Sequence, residues 1–137
     1  MKQFVVDKKF IERVSYALRL CAEQNVIGYE LFLHGKTILY YSDIQLSLDK
    51  GNWIKRKRKT CIRFEQSTLD LSIKNQGDLA KFYLKYGLQE QFYCLTPGSV
   101  PIFNENEQCV GALTITGLTP EEDHKMALEV LGIEGGI

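Results

Sequence analysis

Two hairpin patterns, one in each half of the chain, constrain the fold more than any other feature of the sequence. In the first, apolar stretches at about residues 27–34 and 37–42 flank Gly35-Lys36, which suits a two-residue turn with glycine in its first position. In the second, SVPIF is followed by the polar tip NENEQ and then by CVGALTIT. Because a hairpin pairs its strands antiparallel, the sequence predicts a mainly antiparallel sheet.

Helical patterns precede, separate and follow the hairpins. The first is capped by Asp7 and repeats apolar residues at helical spacing as far as Cys21, and another covers about residues 78–86. The last begins at a capping box, in which Thr119 is the N-cap and Glu122 lies three residues later. Helices of this kind must pack their apolar faces on the sheet, so the order of elements predicts an α+β layer fold.

Length and composition indicate one domain over residues 1–137. The chain has 45% hydrophobic and 25% charged residues, and its formal net charge is zero, which disfavours binding to nucleic acid. No apolar run approaches membrane-spanning length, so no membrane association is expected. The charged N-terminal segment MKQFVVDKKF lacks the apolar core of an export signal, so we expect a cytoplasmic protein. The four cysteines form no CxxC pair, which predicts reduced thiols and no structural metal site.

The segment NWIKRKRKTCIRF, residues 52–64, combines six cations with apolar residues. On a helical wheel, Trp53, Ile54, Cys61 and Phe64 share one arc, and of the cations Lys57 alone falls inside it. The five outer cations are typical of a solvated helix face, and Lys57 must reach solvent, pair with a carboxylate or meet an anionic ligand. Binding of this helix to nucleic acid is disfavoured, because the chain has no second basic segment.

The first turn of the last helix directs two polar side chains inward. His124 shares a face with Ala127 and Leu128, and Asp123 aligns with Val130. At a helix N-terminus the dipole favours an anion and lowers the pKa of a histidine. His124 could therefore act as a general base or as a metal ligand. Alternatively, Asp123 satisfies first-turn N–H groups and His124 packs at a subunit contact.

Three segments together resemble the haem-degrading-domain family, also described as HbpS-like or GlcG-like, and in particular its uncharacterised small cytoplasmic branch. They are NWIKRKRKTCIRF, GSVPI and VGALTITGLTPEEDH. The residues that carry the resemblance are Trp53, Ile54, Arg56, Lys57, Thr60, Phe64, Gly98, Pro101, Ile102, Val110, Gly111, Thr114, Gly117, Leu118, Glu122, Asp123 and His124.

The resemblance implies a profilin-like sandwich with a five-stranded antiparallel sheet, built into homodimers or larger rings. Some members of the family bind haem, which makes haem the cofactor that the resemblance suggests. One departure concerns Thr96-Pro97-Gly98, which stands where many members of this branch have a His-Gly-Gly run. If that histidine is a ligand, a histidine ligand in this chain must be His34 or His124.

Three hypotheses for the function follow. In the first, the protein is a homo-oligomer that binds a small anionic ligand or haem between the basic helix and the start of the last helix. The residues predicted to contact the ligand are Trp53, Arg56, Lys57, Thr60, Phe64, Gly98, Glu122, Asp123 and His124. In the second, it is an enzyme with His124 as base and Asp123 as the residue that orients it. In the third, it is an assembly scaffold in which Trp53 and Arg56 anchor an interface.

Overall fold

A computed structural model describes residues 2–134 of the chain. In chain order its elements are β1 (Gln3–Phe4), α1 (Lys8–Gln24), β2 (Gly28–Leu33), β3 (Lys36–Ser42), α2 (Leu48–Phe64), α3 (Thr68–Lys74), α4 (Leu79–Tyr86), β4 (Ser99–Asn104), β5 (Cys109–Thr116) and α5 (Pro120–Leu131).

One five-stranded sheet organises the fold, in the order β1-β4-β5-β2-β3. The β2–β3, β2–β5 and β4–β5 pairs are antiparallel, as the two hairpin patterns predict. The sheet is nevertheless mixed, because β1 pairs parallel to β4 through Gln3 and Phe4. The predicted α+β sandwich with five strands is confirmed, and the fully antiparallel pairing is corrected at this edge. Two residues are too short a stretch to show any strand periodicity in the sequence.

The helices cover both faces of the sheet. Tyr29, Leu31 and Leu33 of β2 face α1 and α5 and belong to the main hydrophobic core. The alternate residues Glu30 and Phe32 face α2, where they contact the Arg58 side chain. This alternation makes β2 buried on both sides, as its apolar sequence predicts.

The basic helix α2 is longer than its sequence suggests. It starts at Leu48, where the Ser47 hydroxyl accepts a hydrogen bond from the Lys50 N–H, and ends at Glu65 in a left-handed conformation. The sequence pattern predicted a connection up to Asn52, because Gly51 and its polar neighbours are typical of a turn. The short helix α3, capped by Ser67, was not predicted either.

The first hairpin turns one residue earlier than its sequence predicted. His34 and Gly35 both have positive φ, 53° and 82°, and Leu33 pairs with Lys36. These angles make a turn in which both central residues are left-handed, with glycine second rather than first. In residues 2–134 no helix has the length and apolarity needed to cross a membrane.

Candidate functional site

The inward lysine of α2 is buried and paired. Lys57 is 2% exposed, and its Nζ lies 3.1 Å from Oδ2 of Asp123 and 3.0 Å from the carbonyl oxygen of Ile115. The prediction that Lys57 needs a partner is therefore met by a carboxylate of the same chain. This contact joins α2, β5 and α5 at one end of the sheet.

Asp123 is equally well satisfied. Its Oδ1 accepts a hydrogen bond of 3.0 Å from the Leu118 N–H, and Oδ2 accepts from Lys57. Burial raises the pKa of Asp123, an effect that the Lys57 charge opposes, and burial lowers the pKa of Lys57, which Asp123 opposes. Because both carboxylate oxygens are occupied in this way, the predicted pairing of Asp123 with His124 as base and orienting residue is not formed.

Gly98 has no side chain, which leaves room for the ammonium group of Lys57. Its φ is 140°, and a Cβ atom there would lie 2.6 Å from both Lys57 Nζ and the Ile115 carbonyl oxygen. A side chain at this position would displace the ammonium group. The glycine of the Thr96-Pro97-Gly98 turn therefore allows the buried pair to form. A cavity of about 190 Å³ beside the pair is lined by Trp53, Lys57, Thr96 and Asp123.

The side chains of Arg56 and Trp53 pack on each other on the outer side of α2. The guanidinium of Arg56 lies 4.1 Å from the centre of the Trp53 ring, and its Nη2 donates to the carbonyl oxygens of Glu90 and Tyr93 at 3.0 and 3.3 Å. Arg56 also lines a larger cavity, of about 470 Å³, which we call the cationic cleft. Its lining includes Glu30, Tyr40, Lys55, Arg56, Arg58, Lys59 and Phe92.

Three other residues predicted to contact a ligand have contacts within the chain. The Thr60 hydroxyl donates to the Arg56 carbonyl and accepts from the Cys94 N–H, both at 3.0 Å. The Phe64 ring, at the end of α2, packs against the rings of Phe82 and Tyr86 of α4. Glu122 is exposed and completes the capping box with Thr119, as the sequence predicted.

His124 lies in a separate cavity, which we call the β4-edge groove. It has a volume of about 400 Å³, and Lys57 is not among its lining residues. The groove exists because β1 pairs only with Phe103 and Asn104, so the first residues of β4 lie at an open edge of the sheet. It is lined by Lys2, Glu65, Gln66, Ser67, Asp70, Val100, Pro101, Phe103, His124, Leu128, Ile133 and Glu134.

The histidine in this groove is buried, and one of its ring nitrogens has no hydrogen-bond partner within residues 2–134. His124 is 8% exposed, and the nitrogen concerned is Nδ1. Burial lowers the pKa of His124, which the charge of Asp70 opposes. An imidazole in this state keeps a nitrogen lone pair for an incoming group.

The apolar wall of the groove was not predicted. It consists of Val100, Pro101, Phe103, Leu128 and Ile133. A sequence signal was present in SVPIF, because Pro101 cannot donate to a strand ladder and is typical of an edge strand.

Residues 2–134 contain no group of three or more histidine, cysteine or acidic residues that could hold a metal ion. Burial raises the pKa of Cys61, which disfavours the reactive thiolate form.

Comparisons with known sequences identify relatives over most of the chain. The profile of a family described as haem degrading protein HbpS-like matches residues 30–132. A UPF0303 protein of Rhizobium rhizogenes is 32% identical over 120 residues, which are 85% of this chain and 72% of that protein. A UPF0303 protein of Psychromonas ingrahamii is 31% identical over 116 residues, 83% of this chain and 73% of that protein.

Solved structures share the fold. The crystal structure of the Ybr137w protein superimposes with a TM-score of 0.73 at 28% sequence identity, covering 90% of this chain and 72% of that one. The crystal structure of a PduOC:haem complex gives a TM-score of 0.75 at 18% identity and covers 94% of each chain. At that identity the second likeness concerns the fold alone.

Proposed function

Because the chain belongs to the HbpS-like family of haem-degrading proteins, we propose that it binds haem in the β4-edge groove, with His124 as the ligand to the iron. The observation that carries the proposal is the position of the His124 imidazole, which lines the groove and whose Nδ1 has no hydrogen-bond partner within residues 2–134. A buried polar atom without a partner costs about 1–3 kcal/mol, so the unpaired Nδ1 marks His124 as a residue whose role is not explained by hydrogen bonds within residues 2–134. A solved relative of the same fold is a complex with haem, which supports this choice of ligand.

The residues of the groove fit the chemical character of haem. The macrocycle is flat and apolar, and the groove offers Val100, Phe103 and Leu128 as apolar walls that exclude water from a bound ring. Its volume of about 400 Å³ lies within the range of cavities that hold compact organic ligands. Bound haem would supply a redox-active iron, and His124 would hold that iron through a ring nitrogen.

Charge in the groove restricts where the two carboxylates of haem could lie. Lys2 is its one lysine, and its Nζ is 2.7 Å from the Gly132 carbonyl oxygen. The acidic side chains Glu65, Asp70 and Glu134 also line the groove and repel a nearby carboxylate. We therefore propose that Lys2 pairs with one carboxylate while the other stays in solvent.

A haemin titration followed by absorbance tests the proposal. The wild-type protein should give a saturable shift of the Soret band at one haemin per chain, and His124→Ala should abolish it. The matched control is His34→Ala, which removes the other histidine of the chain, at the exposed hairpin turn, and should titrate as the wild type does. Equal titration curves for wild type and His124→Ala would refute the proposal, provided that both proteins melt at similar temperatures.

The two other hypotheses have less support from the geometry. An enzyme that uses His124 as base would need Asp123 to orient the ring, but the two oxygens of Asp123 are bound to Lys57 and Leu118. As a scaffold, it would use Trp53 and Arg56 as interface anchors. Those two side chains instead pack on each other, and Arg56 also donates to the carbonyl groups after α4.

A further inference from the structure

We propose that the cationic cleft is a second binding site, separate from the β4-edge groove, for a small phosphorylated molecule that carries a flat ring. The two cavities share no lining residue. The cleft opens on the face of the sheet that α2 covers, whereas the groove lies at the β4 edge.

The base of the cleft is a fixed structure with its charges balanced. Arg58 Nε lies 2.9 Å from Oε1 of Glu30, and the Arg58 guanidinium stacks 4.2 Å from the centre of the Phe32 ring. The Thr37 hydroxyl donates to the second oxygen of Glu30 at 2.7 Å. Glu30 is the one carboxylate in the lining, and Arg58 already neutralises it.

The remaining cations therefore give the cleft an unopposed positive charge. Lys55 and Lys59 lie one helical turn apart on α2 and both line the cavity. Neither forms an ion pair within the described part of the chain. Arg56 adds a third charge, held against Trp53, and its buried Nε has no acceptor among residues 2–134. In a chain of zero net charge, this concentration of cations selects a ligand with more than one negative charge.

The walls indicate what else the ligand carries. Tyr40 and Phe92 are 58% and 42% exposed and border the cavity, and the Lys59 ammonium lies 5.7 Å from the centre of the Phe92 ring. Exposed aromatic rings beside lysines can stack on a flat ring while the lysines hold a phosphate as point charges. The amides of Asn52 and Gln91 add hydrogen-bonding groups to the same lining. A single concave cavity of about 470 Å³ suits a compact ligand better than a nucleic-acid strand, which needs an extended basic groove.

Isothermal titration calorimetry with adenosine 5′-monophosphate and with inorganic phosphate tests the site. We expect saturable binding of the nucleotide, and weaker binding of phosphate. The double variant Lys55→Gln/Lys59→Gln should weaken nucleotide binding about tenfold or more, because two charge-assisted contacts are lost. Phe92→Leu should reduce the advantage of the nucleotide over phosphate.

The matched control is Lys81→Gln/Lys85→Gln, which removes two exposed lysines at the same spacing on α4. This variant should bind the nucleotide as the wild type does. Equal weakening in both double variants, or no saturable heat with either ligand, would overturn the proposal, and so would tighter binding of a single-stranded oligonucleotide than of the mononucleotide. The Lys55→Gln/Lys59→Gln protein should keep its haemin titration curve, and loss of that curve would contradict the separation of the two sites.

Discussion

Asp123 and His124 are neighbours at the start of α5, yet their surroundings give them different chemistry. Asp123 points toward α2, where Lys57 and the Leu118 N–H bind both of its oxygens. His124 points into the groove on the other side, where no hydrogen-bond partner for Nδ1 lies within residues 2–134. One residue of helix rotation, about 100°, thus separates a structural ion pair from a candidate ligand.

Stability at low pH should report the buried neutral state of His124. Burial lowers its pKa below the ordinary value of 6.5, so the unfolded chain takes up a proton at a higher pH than the folded one. The stability that this group contributes is present above about pH 6.5 and is lost as the pH falls through the folded pKa. We expect the free energy of unfolding to fall more between about pH 7.5 and about pH 5.5 in the wild type than in His124→Gln.

Urea denaturation of both proteins at the two pH values measures this difference. His34→Gln, changed at the exposed turn, is the control and should follow the wild type. An identical loss of stability in wild type and His124→Gln would show that His124 is not held neutral by burial.

At the scale of elements, the sequence predicted those that carry their own local signals. Asp7 and Thr119 cap α1 and α5 as predicted, and Gly87 ends α4, because a cap needs only neighbouring residues. β1 and the first turn of α2 were missed. β1 exists through its pairing with β4, and the turn around Gly51 is helical despite a composition typical of loops.

The candidate site could be predicted from the sequence only in part, because contacts between elements that are distant in the chain leave no local sequence signal. A helical wheel identifies Lys57, Asp123 and His124 as inward, and all three are buried. It does not identify the element that lies opposite each of them, so it placed His124 and Lys57 in one pocket. The structure places His124 against Pro101 and the β4 edge, because the chain after β1 leaves that edge uncovered.

The contact between α2 and α5 should contribute strongly to stability. Lys57→Met leaves the Asp123 carboxylate buried with Leu118 as its one remaining donor, and breaking a buried ion pair costs about 3–5 kcal/mol. Adding Asp123→Asn should recover part of that loss, because the neutral amide can still accept from the Leu118 N–H. Chemical denaturation measures both variants.

Lys55→Met is the matched control for this experiment, since Lys55 is an exposed lysine of the same helix. Its effect should stay within about 0.5 kcal/mol, as for most surface substitutions. If Lys57→Met costs no more than Lys55→Met, the ion pair is not a structural link between the two helices.

At the scale of the whole molecule, the net charge is zero, yet the two candidate binding surfaces differ in charge and lie apart. Four cations of α2, namely Lys55, Arg56, Arg58 and Lys59, line the cationic cleft, while the β4-edge groove combines an apolar wall with His124. We further propose a single domain over residues 1–137 that assembles as a homo-oligomer in the cytoplasm. Exposed apolar side chains on α1, such as Tyr16 and Leu20, are candidate contacts for that assembly.

The proposed role of His124 as an iron ligand is tested most directly by replacing the ring and then supplying it again. We would record the absorbance and electron paramagnetic resonance spectra of haemin bound to His124→Gly, without and with added imidazole. The account predicts that the variant loses the spectrum of the wild-type complex and that imidazole, which fits the space left by the ring, restores it. A wild-type spectrum without imidazole, or no response to imidazole, would contradict the account.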